Sequence, residues 1–201
     1  MFRITFILAF CPFFVFAESH LSGINEKFER AIKSYEDKKY IEAVTIFSDL
    51  AEQGFAEAQF NLSLLYFSGL GTPKNFKWSL YWAWRAHLNK HKNAQQRVEM
   101  VIGQVDENLT NSVADLIVSE LLDVANQGNK DAALHLGQTY LGLFVVPNFE
   151  EAYVWLSISQ AFGDAEANTF LLEATSQLDI GVILQKQEEA QELFQNILAN
   201  S

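Results

Sequence analysis

"LAEQGFAEAQFNLSLLYFSGLGTP" runs from Leu50 to Pro73, and "VANQGNKDAALHLGQTYLGLFVVP" runs from Val124 to Pro147. Laid over one another, they set Ala51 on Ala125, Gly54 on Gly128, Ala58 on Ala132, Leu62 on Leu136, Tyr66 on Tyr140 and Pro73 on Pro147, each pair 74 residues apart. Past the proline the offset falls to 73. Asn75-Phe76 then meets Asn148-Phe149, Trp82 meets Trp155, Ala94 meets Ala167 and Asp106 meets Asp179. A period of this length is too long for one helical hairpin and fits two, at roughly 34–45 residues each.

The period inside each copy is helical. Ala58, Leu62, Leu65 and Tyr66 recur at spacings of three and four, as do Phe149, Ala152, Tyr153 and Leu156. Gly54, Gly128 and Gly163 each follow such a run, where a left-handed residue ends a helix and only glycine takes that conformation without steric penalty. Pro73 and Pro147 fall in loops ahead of the next helix. The pattern predicts ten helices, at 24–37, 39–53, 56–68, 75–89, 91–104, 111–127, 130–143, 149–162, 165–177 and 181–199. No stretch alternates as a strand does. One pair of helices cannot bury its apolar face alone, so the expected fold is all-α, a right-handed α-solenoid of stacked hairpins.

Composition narrows the function classes. Apolar residues make up 49% of the 201 residues, enough for a packed core, and the formal net charge is −11. Lys and Arg are scattered, which offers no basic stripe for nucleic acid or anionic lipid. "MFRITFILAFCPFFVFAESH" places Arg3 before an apolar run from Ile4 to Phe16, with Val15 and Ala17 at the two positions a signal peptidase reads. The run is too short for an ordinary membrane span. The organisation expected is therefore a signal peptide at 1–17, an N-terminal helical pair at 18–54, one repeat unit at 55–128 and a second at 129–201 with a closing helix. Cleavage before Glu18 removes Arg3 and Cys11, taking the charge from −11 to −12 and leaving no cysteine. That excludes thiol catalysis, zinc held by thiolates and disulfides in the mature chain.

"DLAEQGFAEAQFNLSLLYFSGLGTPKNFKWSLYWAWRA" resembles a Sel-1-like repeat, a relative of the tetratricopeptide repeat, whose pattern is similar to A-x-x-G-x-x-x-A-x-x-x-L-G-x-x-Y-x-x-G-x-G-V followed by an acidic or amide residue, an A and W-Y. Ala51, Gly54, Ala58, Leu62, Tyr66, Gly69, Gly71, Asn75 and Trp82 carry the likeness in the first copy. Ala125, Gly128, Ala132, Leu136, Gly137, Tyr140, Asn148, Ala152 and Trp155 carry it in the second. Leu143 and Val145 replace the turn glycines there, so that turn must differ. The segment 28–54 is similar to the helical pair that often precedes such repeats, and "EEAQELF" at 188–194 resembles their closing tail. The resemblance implies a protein-binding scaffold of a bacterial periplasmic type and says almost nothing of activity.

Candidate chemistry is sparse. His87 and His91 have the four-residue spacing of a metal pair but straddle a loop, and no third ligand is evident. Asp131 and His135 form a surface pair on one helix. The acidic run Glu188–Glu192 is a solvated face. No nucleophile elbow, phosphate loop or dinucleotide fingerprint occurs. Neither a cofactor nor a metal nor a catalytic residue is therefore assigned, and the chain is read as no enzyme. Trp82, matched by Trp155, is expected in interhelical packing. Trp78 and Trp84 have no aromatic counterpart and fit either a peptide anchor or packing.

The function these residues support is a non-catalytic exported scaffold, holding a protein or peptide partner and neither nucleic acid nor membrane after signal cleavage. A structural part of an envelope assembly, such as a flagellar motor or wall-remodelling complex, is the alternative, and a hydrolytic enzyme is a third reading. By analogy with tetratricopeptide solenoids, the first helix of each hairpin lines the concave face. The polar positions there are Gln59, Asn61 and Ser63 on one helix and His135, Gln138 and Thr139 on the other, which places the partner site on these six.

Overall fold

The computed structural model describes residues 12–200, with side chains from residue 23 onward. The expected signal segment at 1–17 and its cleavage site lie outside those side chains. Ten helices follow one another among the described residues, with no strand: α1 (Pro12–Glu36), α2 (Tyr40–Glu52), α3 (Ala56–Ser68), α4 (Phe76–Leu88), α5 (Ala94–Ile102), α6 (Glu107–Ala125), α7 (Lys130–Gly142), α8 (Phe149–Ala161), α9 (Ala167–Ser176) and α10 (Ile180–Asn200). The starts of α3 and α7 differ by 74 residues, and those of α4 and α8, α5 and α9, and α6 and α10 by 73. These are the offsets of the repeat. Neighbours repeat too: α3 packs on α4, and α4 on α5 and α6, just as α7 packs on α8, and α8 on α9 and α10. The chain is an α-solenoid, as its periodicity predicts.

The same chemistry starts equivalent helices. Asn75 accepts a hydrogen bond from the Trp78 N–H and Asn148 one from the Glu151 N–H. Each satisfies a donor that the first turn otherwise leaves open. Asp106 caps α6 by accepting from the Leu109 N–H at 2.8 Å. This cap starts α6 at Glu107, four residues before the sequence-based start at 111. Helix α5 opens at Ala94 rather than 91, because His91 to Asn93 form the turn that follows α4.

Helix ends show where the copies part. Gly54 and Gly128 stand in the left-handed region at φ +86° and +85°, and Gly163 at +88°. Lys90 occupies the first copy's counterpart of Gly163 and holds φ +64°. Its ammonium is paired with Glu166. Gly69 caps α3 at φ +72°, but Leu143 continues α7 in the right-handed region and is buried. The second turn does differ, and the apolar side chain there joins the core.

Small residues set the helix spacing. Ala58, Leu62, Ala133, Leu136, Ala152 and Leu156 are wholly buried. Gly137 faces Leu156 so closely that a Cβ on it would stand 2.4 Å from Leu156 Cγ. The counterparts in the first copy are Ser63 and Ala83, so a small–large pair in one copy replaces a medium–small pair in the other. Ser63 and Ser79 also meet Arg97, which is 5% exposed. Arg97 Nε donates to Ser63 Oγ at 3.1 Å, its Nη2 donates to Ser63 O and Ser79 Oγ, and its guanidinium lies 4.3 Å from the Phe67 ring centroid. In the second copy these places belong to Gly137, Ala152 and Phe170. A polar knot and an apolar plug fill the same seam.

Candidate partner-binding face

The six polar positions expected on one face do not share one. Successive residues of an α-helix turn by about 100°, so Gln59 and Ser63 lie together while Asn61 lies nearly opposite. Gln59 is fully buried: its Nε2 donates to Ala51 O at 3.0 Å, and its Oε1 accepts from Asn89 Nδ2 at 2.9 Å. It ties the ends of α2 and α4 to α3. Ser63 is fully buried in the Arg97 knot. Thr139 is fully buried too, donating to His135 O at 2.7 Å and accepting from Trp84 Nε1 at 3.0 Å. These three hold helices together and cannot meet a partner.

Asn61, His135 and Gln138 stay at the surface, each half-buried. Asn61 and His135 occupy the same register of the two copies, as do Leu64 and Gln138. On α3 the open ridge is Glu57, Asn61, Leu64 and Ser68, with Asn61 Nδ2 donating to its own helix at Glu57 O. On α7 it runs through Asp131, His135 and Gln138 to Gly142. Gln138 Oε1 is the one buried side-chain polar atom among the described residues without a hydrogen-bond partner.

A cleft of about 440 Å³ opens where the end of α4 meets the start of α7, with His135 and Asp131 in its wall and the Lys90–Glu166 pair across it. Burial lowers the His135 pKa, against the opposing pull of Asp131. Burial lowers His87 and His91 as well. The two rings have separate partners. His91 stacks on Phe60 at 4.1 Å between centroids, and His87 lies 4.8 Å from the Trp84 ring. Among the described residues no three His, Cys, Asp or Glu side chains gather as a metal would need.

Trp82 is buried in the core, with its ring edge-on to its neighbour Tyr81 on the same helix. Trp84 is 2% exposed and belongs to the seam between α4 and α7. Trp78 keeps 37% of its surface open beside Tyr81. Two polar clusters were not read from the sequence. Glu120 of α6 accepts from Tyr81 Oη at 2.6 Å and from Arg85 Nη1 at 2.9 Å, with burial the largest influence raising the Tyr81 pKa. Lys186 of α10 is nearly buried among Glu150, Glu151 and Glu189, at 3.4, 3.6 and 2.9 Å. Both join residues far apart in the chain, so only tertiary packing brings them together.

No protein-family model and no curated protein sequence matches the chain. Among solved structures it is similar to a protective antigen of uropathogenic Escherichia coli strains displaying an SLR fold, at 16% identity and a TM-score of 0.36, over 78% of this chain and 41% of that one. It is also similar to a Sel1 repeat protein from Oxalobacter formigenes, at 20% identity and a TM-score of 0.26, over 67% of this chain and 49% of that one. Both are of the repeat type the sequence resembles, and the chain spans less than half the length of either. Among the described residues no helix is long and apolar enough to cross a membrane.

Proposed function

We propose that the chain is a non-catalytic scaffold, exported to the periplasm, that holds a peptide segment of a protein partner along the open ridges of α3 and α7. The open ridges carry this reading, with Asn61 on α3 and His135 on α7 partly exposed at the same place in the two copies. Asn61 and His135, in matching register, add donors and acceptors along the same direction, which sets the position of a bound backbone without requiring charge.

The test is affinity capture from envelope extract of the native host with the wild type, Asn61→Ala and Gln138→Ala. Retention of the captured partner is expected to fall in both variants while thermal unfolding stays where it was. Unchanged retention in both would place the partner elsewhere. Export is tested by N-terminal sequencing of protein from the native host, with Glu18 expected as the first residue. A chain beginning at Met1 in the cytosolic fraction would overturn the periplasmic reading.

A further inference from the structure

Charge is divided unevenly along this chain. Residues 93–201 hold three Lys or Arg against sixteen Asp or Glu, a net of −13. Residues 23–92 hold ten against eight, a net of +2, and between Glu57 and Glu99 there is no acidic side chain at all. In this less acidic part, an open groove of about 870 Å³ lies between the α1–α2 turn and the α3–α4 loop. Tyr40, Ile41, Gly71 and Pro73 form its apolar surface, and Lys38 and Lys39 stand on its lip. Ile41 is 75% exposed, on a helix whose other face is core.

Lys38 marks the groove further. It holds φ +60°, the conformation that glycine takes at the helix ends after Gln53, Ser68, Gln127 and Phe162. A side chain there costs about 1 kcal/mol relative to glycine. The only other non-glycine residue so placed among the described residues is Lys90, whose ammonium pairs with Glu166. Lys38 makes no ion pair among the described residues, and neither does Lys74 on the opposite loop, whose ammonium lies 4.6 Å from the Phe76 ring centroid. Lys39 reaches Asp37 only at 4.0 Å. Gly71 permits the two walls to close, since a Cβ there would stand 2.3 Å from Tyr40 O. The start of α2, without a side-chain cap at Lys39, adds its positive end to the same wall. Glu42 is the one carboxylate in the lining.

We propose that this groove docks an acidic peptide segment, with an apolar side chain on Ile41 and carboxylates on Lys38 and Lys39. The two ammonium groups on the lip disfavour a basic occupant, which the acidic C-terminal half would draw instead. The surface is separate from the ridges of α3 and α7.

Fluorescence anisotropy of the full chain with the labelled peptide DDELLEDD tests it, beside KKKLLKKK and the leucine-free DDESSEDD. Only the first is expected to bind, more weakly at high salt because exposed charges are screened. Lys38→Gly suits the backbone and is expected to keep or raise the unfolding temperature, yet to weaken the peptide about tenfold. Ile41→Ser is expected to weaken it similarly, and Gln138→Ala to leave it unchanged. No binding of DDELLEDD, equal binding of KKKLLKKK, or full affinity in Lys38→Gly and Ile41→Ser would each overturn the proposal. So would self-association of the chain that Lys38→Gly abolishes, since the occupant would then be a second copy.

Discussion

Trp84 Nε1 donates to Thr139 Oγ1 across 3.0 Å, joining the second helix of one repeat to the first helix of the next. Both residues are buried, and a Cβ added to Gly142 would stand 2.9 Å from Trp84 Cη2. The indole therefore fills the seam between the copies while its one polar atom is satisfied. Its counterpart in the second copy is Ser157 and that of Thr139 is Leu65, so the bond occurs at this junction and is not part of the repeat.

Trp84→Ala is expected to destabilise the fold by about 3–5 kcal/mol, from lost burial and the cavity left behind. Thr139→Val keeps the volume but strands the indole N–H, at about 1–3 kcal/mol. Urea unfolding of both single variants and the double variant gives the coupling. Simple additivity would show that the bond contributes nothing beyond packing.

Arg97 is buried without an acidic side chain beside it, held by Ser63, Ser79, Met100 and the Phe67 ring. Its carbonyl and hydroxyl partners lose their donor in Arg97→Ala, and a cavity opens. A loss of about 2–4 kcal/mol is expected by chemical denaturation. Arg97→Met refills the volume and is expected to lose less. Equal losses would mean that the hydrogen bonds, not the volume, dominate.

Burial lowers the pKa of His87, His91 and His135 below the ordinary 6.5. The unfolded chain then binds more protons than the folded one as pH falls through that value, so stability is full above about 6.5 and declines below it. Unfolding midpoints in urea at pH 7.5 and 5.5 are expected to differ in that direction. His135→Gln is expected to reduce the difference. A chain equally stable at both values would contradict burial of neutral rings.

The repeat was legible because identical residues recur at fixed offsets, and the helix starts follow those offsets from Ala56 to Ile180. The α6 start was missed because its signal is one residue, Asp106, whose side chain reaches the Leu109 N–H. The face was harder to read. Gln59, Ser63 and Thr139 are polar in sequence but buried in structure, since polarity marks exposure only when no buried partner waits. Ala51 O, Arg97 and the Trp84 indole are those partners, and no local period announces them. Asn61 and His135 stay partly exposed, and the 74-residue register pairs them.

Gly137 and Leu156 supply the sharpest check on how the two copies relate. A Cβ at Gly137 would meet Leu156 Cγ at 2.4 Å and Cδ2 at 2.6 Å, with both residues buried in helices that cannot easily separate. Gly137→Ala is therefore expected to destabilise by about 1–3 kcal/mol, although alanine favours helix over glycine by nearly 1 kcal/mol. Leu156→Ala alone leaves a cavity and is expected to lose about 2–5 kcal/mol. Together the two changes approach the Ser63 and Ala83 arrangement of the first copy. The double variant is expected to be more stable than the sum of the single losses allows, by at least about 1 kcal/mol. Thermal and urea unfolding of the four proteins measure this coupling. Strict additivity would mean that the two copies solve the seam independently of this small–large pairing.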